Sequence, residues 1–287
     1  MTSPIVTYAR MIKLSHTLFA MPFALAAAVL AAREVPVHPA QMAWIVGCMV
    51  LARASAMGFN RVVDRDLDAK NPRTAGREIP SGQLSVRAAW AFTLGSAAGF
   101  VGCAAMLGRS TLLLAPVALG VVWGYSLTKR FTALCHAVLG VGLALAPTGV
   151  WIALTDSYGP VPALLSVAVL TWVAGFDIIY ACQDEAFDRS NGLHSIPALL
   201  GTTGALVVSA ALHGVTVAAL AALPWATPLA PWLYGSGVVV IAVVLAYEHW
   251  IVRPTDLSRV DQAFFALNGW VSVLFLVFVA GGAWVAA

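Results

Sequence analysis

The chain has 287 residues, 60% of them hydrophobic and only 10% charged, with a formal net charge of +3 and a mean hydropathy of +0.86. That balance excludes a soluble globule and describes a polytopic membrane protein. The small positive charge does not point to nucleic acid, because the basic residues follow membrane topology.

A spanning helix needs ~20 apolar residues to cross ~30 Å of hydrocarbon. Nine such runs are predicted, near residues 17–33, 39–59, 86–107, 111–128, 132–154, 161–182, 204–223, 231–251 and 264–286. The first follows Arg10, Lys13 and His16, as in a secretory leader. No small-residue cleavage site precedes a soluble domain, so it reads as a span. Hydrophilic caps follow the second run (about 60–85) and the sixth (about 183–203). Pro22, Pro116, Pro147 and Pro224 fall in or near spans, where proline is common. Cys48, Cys103, Cys135 and Cys182 lack metal-type spacing and read as small apolar fillers without a disulfide framework. Trp151, Trp225, Trp232 and Trp284 read as an outer interfacial belt, and His38, His136, His213 and His249 as loop or interface residues. The expected fold is an all-α membrane protein: nine transmembrane helices in a bundle around a central cavity, one domain over residues 1–287.

With the N-terminus in the cytoplasm, fourteen basic residues lie on the cytoplasmic side and only Arg33 and Arg109 lie outside. Both caps then share the cytoplasmic face of a multi-pass protein of the inner (cytoplasmic) membrane. A short repeat links them: Gly58-Phe59-Asn60 opens the first cluster and Gly175-Phe176-Asp177 the second, 117 residues later. This suggests two related four-helix units plus a ninth helix.

Six of the thirteen acidic residues sit in Asp64–Asp68 and Asp184–Asp188. Carboxylates beside a bilayer are costly unless they bind something cationic. Asn60, Asp64 and Asp68 are four residues apart, which on a helix makes one stripe. Asp177, Tyr180, Asp184 and Asp188 make a second stripe. Same-face carboxylates repel unless a cation neutralises them. Hard oxygen ligands suit Mg²⁺, which shares its coordination with phosphates, so two facing stripes would clamp a diphosphate. The plainer alternative is a solvated helix end. Arg73 and Arg77 can fork onto phosphate oxygens or simply follow positive-inside bias. Tyr125 and Lys129 share a helix face. Lys129 reads either as a diphosphate ligand or as a snorkelling interfacial lysine, and Lys13 with His16 has the same two readings.

Asn60-x-x-x-Asp64-x-x-x-Asp68 with Arg73-Thr-Ala-x-Arg77-x-Ile-Pro-Ser-Gly82 resembles the first signature of the UbiA family of intramembrane prenyltransferases. Asp177-x-x-Tyr180-Ala-x-x-Asp184-x-x-x-Asp188, followed by Gly192-Leu-His-Ser195, resembles the second, and Tyr125-x-x-x-Lys129 fits as well. The likeness covers nearly the whole chain and is strongest to the 4-hydroxybenzoate polyprenyltransferases. Arg77-Glu78-Ile79-Pro80 stands where ubiquinone-pathway members carry Arg-Pro-Leu-Pro. With Tyr180-Ala-Cys-Gln-Asp184 it resembles relatives assigned to the futalosine route to menaquinone.

The resemblance implies Mg²⁺-dependent transfer of a polyprenyl chain from polyprenyl diphosphate to the ring of a small aromatic acid such as 4-hydroxybenzoate, in ubiquinone or menaquinone biosynthesis. A futalosine-route naphthoate or haem is the alternative acceptor. Asn60, Asp64, Asp68, Asp184 and Asp188 are the implied Mg²⁺ ligands, and Arg73, Arg77 and Lys129 the diphosphate ligands. Lys13, Tyr125 and Tyr180 join the substrate-binding set. Asp177 is a further ligand, a supporting acid or, equally with a nearby carboxylate, the base that takes the ring proton. Besides the lipid bilayer, nothing points to an obligate protein partner. Membrane CDP-alcohol phosphotransferases also pair acidic motifs, but their Asp-Gly-x-x-Ala-Arg element is absent. A cation-coupled transporter would place its acids near the midplane, whereas these cluster at one face beside arginines.

Overall fold

The computed structural model describes Tyr8, Met11 and residues 20–286. Lys13, like Arg10 and His16, lies outside the described residues. The long elements are α1 (Ala20–Ala31), α2 (Pro39–Val63), the six-residue α3 (Arg65–Lys70), α4 (Val86–Leu107), α5 (Arg109–Thr128), α6 (Cys135–Thr155) and α7 (Pro160–Ala181). A 3₁₀ turn, Cys182–Asp184, leads to the six-residue α8 (Glu185–Ser190). Then come α9 (Ile196–Ala222), α10 (Pro231–Ile251), a π-helical turn over Gln262–Leu267, and α11 (Asn268–Val285).

In hydrocarbon every backbone N–H and C=O must be bonded within the chain, so apolar runs of this length become helices. Among the described residues, eight helices are long and apolar enough to cross a bilayer, and α1 is a shorter apolar helix of 12 residues. The all-α membrane class and the positions of the predicted runs hold, with α1 as the described part of the first. Pro116 and Pro147 lie inside α5 and α6 without ending them. The prolines at the starts of α7, α9 and α10 occupy the first turn, where a missing N–H leaves no bond unmade.

The seventh span begins earlier than predicted, at Ile196 instead of 204. Gly201, at φ 72° and ψ 167°, kinks α9 within its first two turns. That backbone conformation suits glycine. Ser195 caps the start, its hydroxyl accepting from the Ala198 N–H. The kink leaves the Ala198 carbonyl to accept from Arg189 Nε at 2.9 Å.

The chain forms two compact units. One is built on His38–Leu127; the other on α1 and the chain from Thr128 onward. In the first, α2 packs along α4. They come close at Gly58, where an added Cβ would sit 2.3 Å from Thr93 Oγ1. Ser55 donates to the Thr93 carbonyl and accepts from Trp123 Nε1. Phe59 stacks flat on Trp123, with centroids 5.1 Å apart.

In the second unit α7 is central, packed against α6 and α9, while α1 lies on α6 and α11. Phe23 of α1 meets Trp172 and Phe275 at centroid distances of 5.0 and 4.6 Å. Buried polar groups form a chain here: Trp172 Nε1 donates to Asn268, and Asn268 donates to Glu248. Gly175 repeats the role of Gly58, since an added Cβ would lie 2.4 Å from the His213 ring. Trp225, Trp232 and Trp284 are exposed as a belt requires, but Trp151 is buried in α6. His136 and His213 are likewise buried helix residues, not loop or interface groups. Runs of apolar neighbours do not reveal which face of a span turns inward.

Gly175→Ala is expected to cost about 1–3 kcal/mol through overpacking against His213. It should lower the thermal unfolding midpoint in detergent, while Gly95→Ala, whose Cβ meets nothing within 4 Å, should not.

Candidate active site

Neither acidic stripe runs along one continuous helix. In the first unit α2 ends at Val63, and Asp64 has non-helical angles of −95° and 3° before α3 begins. In the second, α7 ends at Ala181, and Asp184 (−101° and 4°) closes the 3₁₀ turn before α8 begins. Each cluster is thus a long span, a break at an aspartate, and a six-residue helix whose fourth residue is a buried aspartate: Asp68 in α3 and Asp188 in α8. The breaks are 120 residues apart, whereas the Gly-Phe pairs are 117 apart. The 3₁₀ turn puts three residues where the first cluster has Asp64 alone, and α7 runs one residue further past its glycine than α2, which together make up the difference.

In the first unit, Asn60 donates to Asp64 Oδ2 at 2.8 Å and approaches Ser126 Oγ at 3.4 Å. Arg77 Nη1 reaches both oxygens of Asp68, at 2.7 and 2.8 Å. Thr74 donates to the Asp68 carbonyl, fixing the cap beneath the carboxylate. Arg73 is exposed, its backbone N–H bonded to Asn71 Oδ1. Glu78, at the position that departs from the usual Arg-Pro-Leu-Pro, lies 3.7 Å from the buried Arg61. Asp66 points to solvent beside Arg65. Tyr125, half-buried, stands in the last turn of α5.

In the second unit, Lys129 lies just past the end of α5 instead of continuing the helical face of Tyr125. The Thr128 carbonyl accepts from Phe131 and Thr132, closing a turn there. Lys129 Nζ is 2.8 Å from Asp188 Oδ1, and its carbonyl accepts from His194 N–H. Ser195 donates to Asp188 Oδ2 at 2.8 Å. Asp188 is wholly buried with both oxygens matched, one by a cation and one by a hydroxyl. Asp184 is buried beside it in sequence, and Glu185 is held by Arg189 and the Thr202 hydroxyl. Tyr180 packs on Phe264 with centroids 4.3 Å apart. Asp177 is bound by His136, Nδ1 to Oδ2 at 2.6 Å.

Sequence reasoning missed His136, Ser195 and Arg61. The signal for Ser195 was its place just before the proline-marked start of α9, where serine is a favoured cap. His136 and Arg61 carried no local signal, since their partners are far along the chain.

Among the described residues no group of three or more His, Cys, Asp or Glu side chains is placed to hold a metal alone. Mg²⁺ does not need one: it takes one or two carboxylates and keeps waters and phosphate oxygens. Asn60 with Asp64, and Asp184 with Asp188, are oxygen donors of that kind, so the donor chemistry fits Mg²⁺ shared with a phosphate.

Residues 20–279 match the model of the UbiA prenyltransferase family. The chain is 30% identical over 256 residues to the 4-hydroxybenzoate octaprenyltransferase of Pseudomonas aeruginosa strain UCBPP-PA14, covering 88% of this chain and 84% of that one. The apo structure of a UbiA homologue from Aeropyrum pernix K1 matches with a TM-score of 0.83 at 35% identity, covering 92% of this chain and 96% of that one. A UbiA homologue from Archaeoglobus fulgidus bound to GPP and Mg²⁺ shares the fold at a TM-score of 0.75 and 20% identity, covering 95% of this chain and 98% of that one.

Ser195 both caps α9 and binds a buried carboxylate. Ser195→Ala should therefore cost about 1–3 kcal/mol. Thermal unfolding in detergent should show the loss, and Ser190→Ala, at an exposed hydroxyl, should leave the midpoint in place.

Proposed function

The chain belongs to the UbiA prenyltransferase family, and we propose that it transfers a polyprenyl chain from polyprenyl diphosphate to the ring of a small aromatic acid, releasing diphosphate. One observation carries this reading. Each six-residue helix presents a buried carboxylate held by a cation suited to phosphate: Asp68 by Arg77, Asp188 by Lys129. A solvated helix end would not bury its acids.

Asn60, Asp64, Asp68, Asp184 and Asp188 are the oxygen donors we assign to Mg²⁺, the ion bound with GPP in the Archaeoglobus homologue. When bound, Mg²⁺ supplies positive charge that stabilises a leaving diphosphate. Arg73, Arg77 and Lys129 take diphosphate oxygens, with Arg77 and Lys129 exchanging their carboxylate partners for phosphate. Lys13 joins them. Tyr125 flanks the reacting carbon, and Tyr180 belongs to the substrate-binding set. At an effective dielectric of ~20, opposite unit charges ~4 Å apart attract by roughly 4 kcal/mol. A few such contacts supply a useful part of the ~8–23 kcal/mol by which enzymes lower barriers. The allylic carbon then bonds to the electron-rich ring, and a carboxylate takes the ring proton.

The excess of basic residues supports an N-terminus and acidic clusters at the cytoplasmic boundary of the inner membrane. That boundary suits the chemistry: donor tail and product partition into lipid, while diphosphate and the aromatic acid partition into water. The name of the Pseudomonas relative favours 4-hydroxybenzoate as acceptor, and with it a place in quinone biosynthesis.

Purified protein given geranyl diphosphate and a panel of aromatic acids should release pyrophosphate and form a prenylated acid, identified by mass, only with Mg²⁺ present. Absence of product across the panel would remove the reading. Asp68→Ala and Asp184→Ala should each lower turnover by about 10²-fold or more while the protein stays folded in detergent. Retained turnover in either would remove the metal assignment. Lys129→Ala should raise the KM for the donor more than that for the acceptor; the reverse pattern would take Lys129 off the diphosphate.

A further inference from the structure

The His136–Asp177 pair belongs to neither ion pair described above. His136 is buried in the first turn of α6. Its Nδ1 lies 2.6 Å from Asp177 Oδ2, and its Nε2 lies 3.3 Å from the backbone nitrogen of Ile196. A backbone N–H can only donate, so Nε2 presents its lone pair and the ring proton sits on Nδ1. The main chain thus holds the ring with Nδ1–H aimed at Asp177 Oδ2. Ile196 is the first residue of α9 and follows Ser195, which binds Asp188. The dipeptide Ser195-Ile196 thus touches Asp188 directly and Asp177 through His136.

The carboxylates differ in what holds them. Both oxygens of Asp68 are taken by Arg77, and those of Asp188 by Lys129 and Ser195. In the proposed reaction those cations pass to phosphate and the two carboxylates to Mg²⁺, so protonating either would cost a metal ligand. Asp177 is held through Oδ2 by a ring N–H, and its side chain is 25% exposed. Its Oδ1 can take a proton while Oδ2 keeps the His136 contact.

We propose that Asp177 is the group that takes the ring proton and that His136 is the positioning residue that aims it. This rests on the aromatic prenyl transfer proposed above. As the donor C–O bond breaks, its electron pair leaves on diphosphate. A ring π pair forms the new C–C bond, leaving the ring cationic. The C–H bond at that carbon then breaks, its electrons restore the ring, and the proton passes to Asp177 Oδ1 and on to water. His136 keeps the carboxylate from rotating away throughout.

A mere strut joining α6, α7 and α9 would show the same contacts, so the test must read the proton step. The full-length protein in detergent is assayed with geranyl diphosphate, Mg²⁺ and either 4-hydroxybenzoate or its ring-deuterated form. His136→Leu should lower kcat for transfer by about 10²-fold, with the donor KM little moved. A deuterium isotope effect on kcat should appear as proton removal becomes the slow step. Asp177→Asn, which keeps an oxygen for His136 but takes no proton, should show the same isotope effect and covers the case in which His136→Leu does not fold. His136→Gln offers an amide N–H to Asp177 and a carbonyl to Ile196, and should recover much of the rate. A lower kcat with no isotope effect in either variant, or wild-type kcat in His136→Leu, would overturn the proposal while leaving prenyl transfer standing. A wild-type protein that prenylates no aromatic acid would overturn both.

Discussion

A carboxylate buried at the end of a membrane helix must find a counter-charge, and the geometry of each acidic cluster follows from that need. Moving an ion out of water costs several kcal/mol even after relaxation. Asp68 and Asp188 are buried all the same. Each is matched at hydrogen-bond distance: Asp68 by Arg77 from its own cap, and Asp188 by Lys129 from beyond the end of α5. The breaks at Asp64 and Asp184 serve the same end. A continuous helix would carry the fourth residue of the next turn along the stripe, whereas the break starts a new short helix that turns it inward.

The two clusters are variants of one plan. Gly58 and Gly175 each allow a neighbouring helix to approach, against Thr93 and His213 respectively. Each is followed by an aromatic residue packed on tryptophan: Phe59 on Trp123 and Trp90, Phe176 on Trp172. They differ in how the acid is held. The first unit uses one arginine nitrogen, Arg77 Nη1, set between both oxygens of Asp68 within the same cap. The second uses a lysine plus a helix-capping serine, so its acid is tied to the start of α9 as well as to a cation.

Hydropathy made the spans legible, because a run that must cross hydrocarbon leaves its mark in composition alone. The acids were legible for the complementary reason, as charges where charges are costly. The breaks at Asp64 and Asp184 were not: spacing of four is compatible with one helix or with two short pieces in series. The start of α9 was hidden by Gly201, since a glycine at positive φ inside a helix reads as cap sequence. His136 lay in an apolar stretch with no local partner, and its link to Asp177 is a tertiary contact between two spans. Trp151 failed as a belt residue because composition cannot give helix rotation.

Rotation is what the interior of the second unit fixes. α7 is held by Trp172 on Asn268, by the Gly175 carbonyl accepting from Ser209, and by the His213 ring lodged against Gly175. Asp177 stands two residues after that clamp, on a long and rigid helix, with a buried imidazole behind it. Asp184 and Asp188 lie beyond the helix end, on a 3₁₀ turn and a six-residue helix tied to α9 through Glu185 and Arg189. The difference matches their proposed work. Metal ligands must adjust as a phosphate enters and leaves, and short elements with a few polar ties can do so. A group that takes a proton from one ring carbon has to be in place before the ring arrives. The chain puts that carboxylate where packing, not a loop, decides where it points.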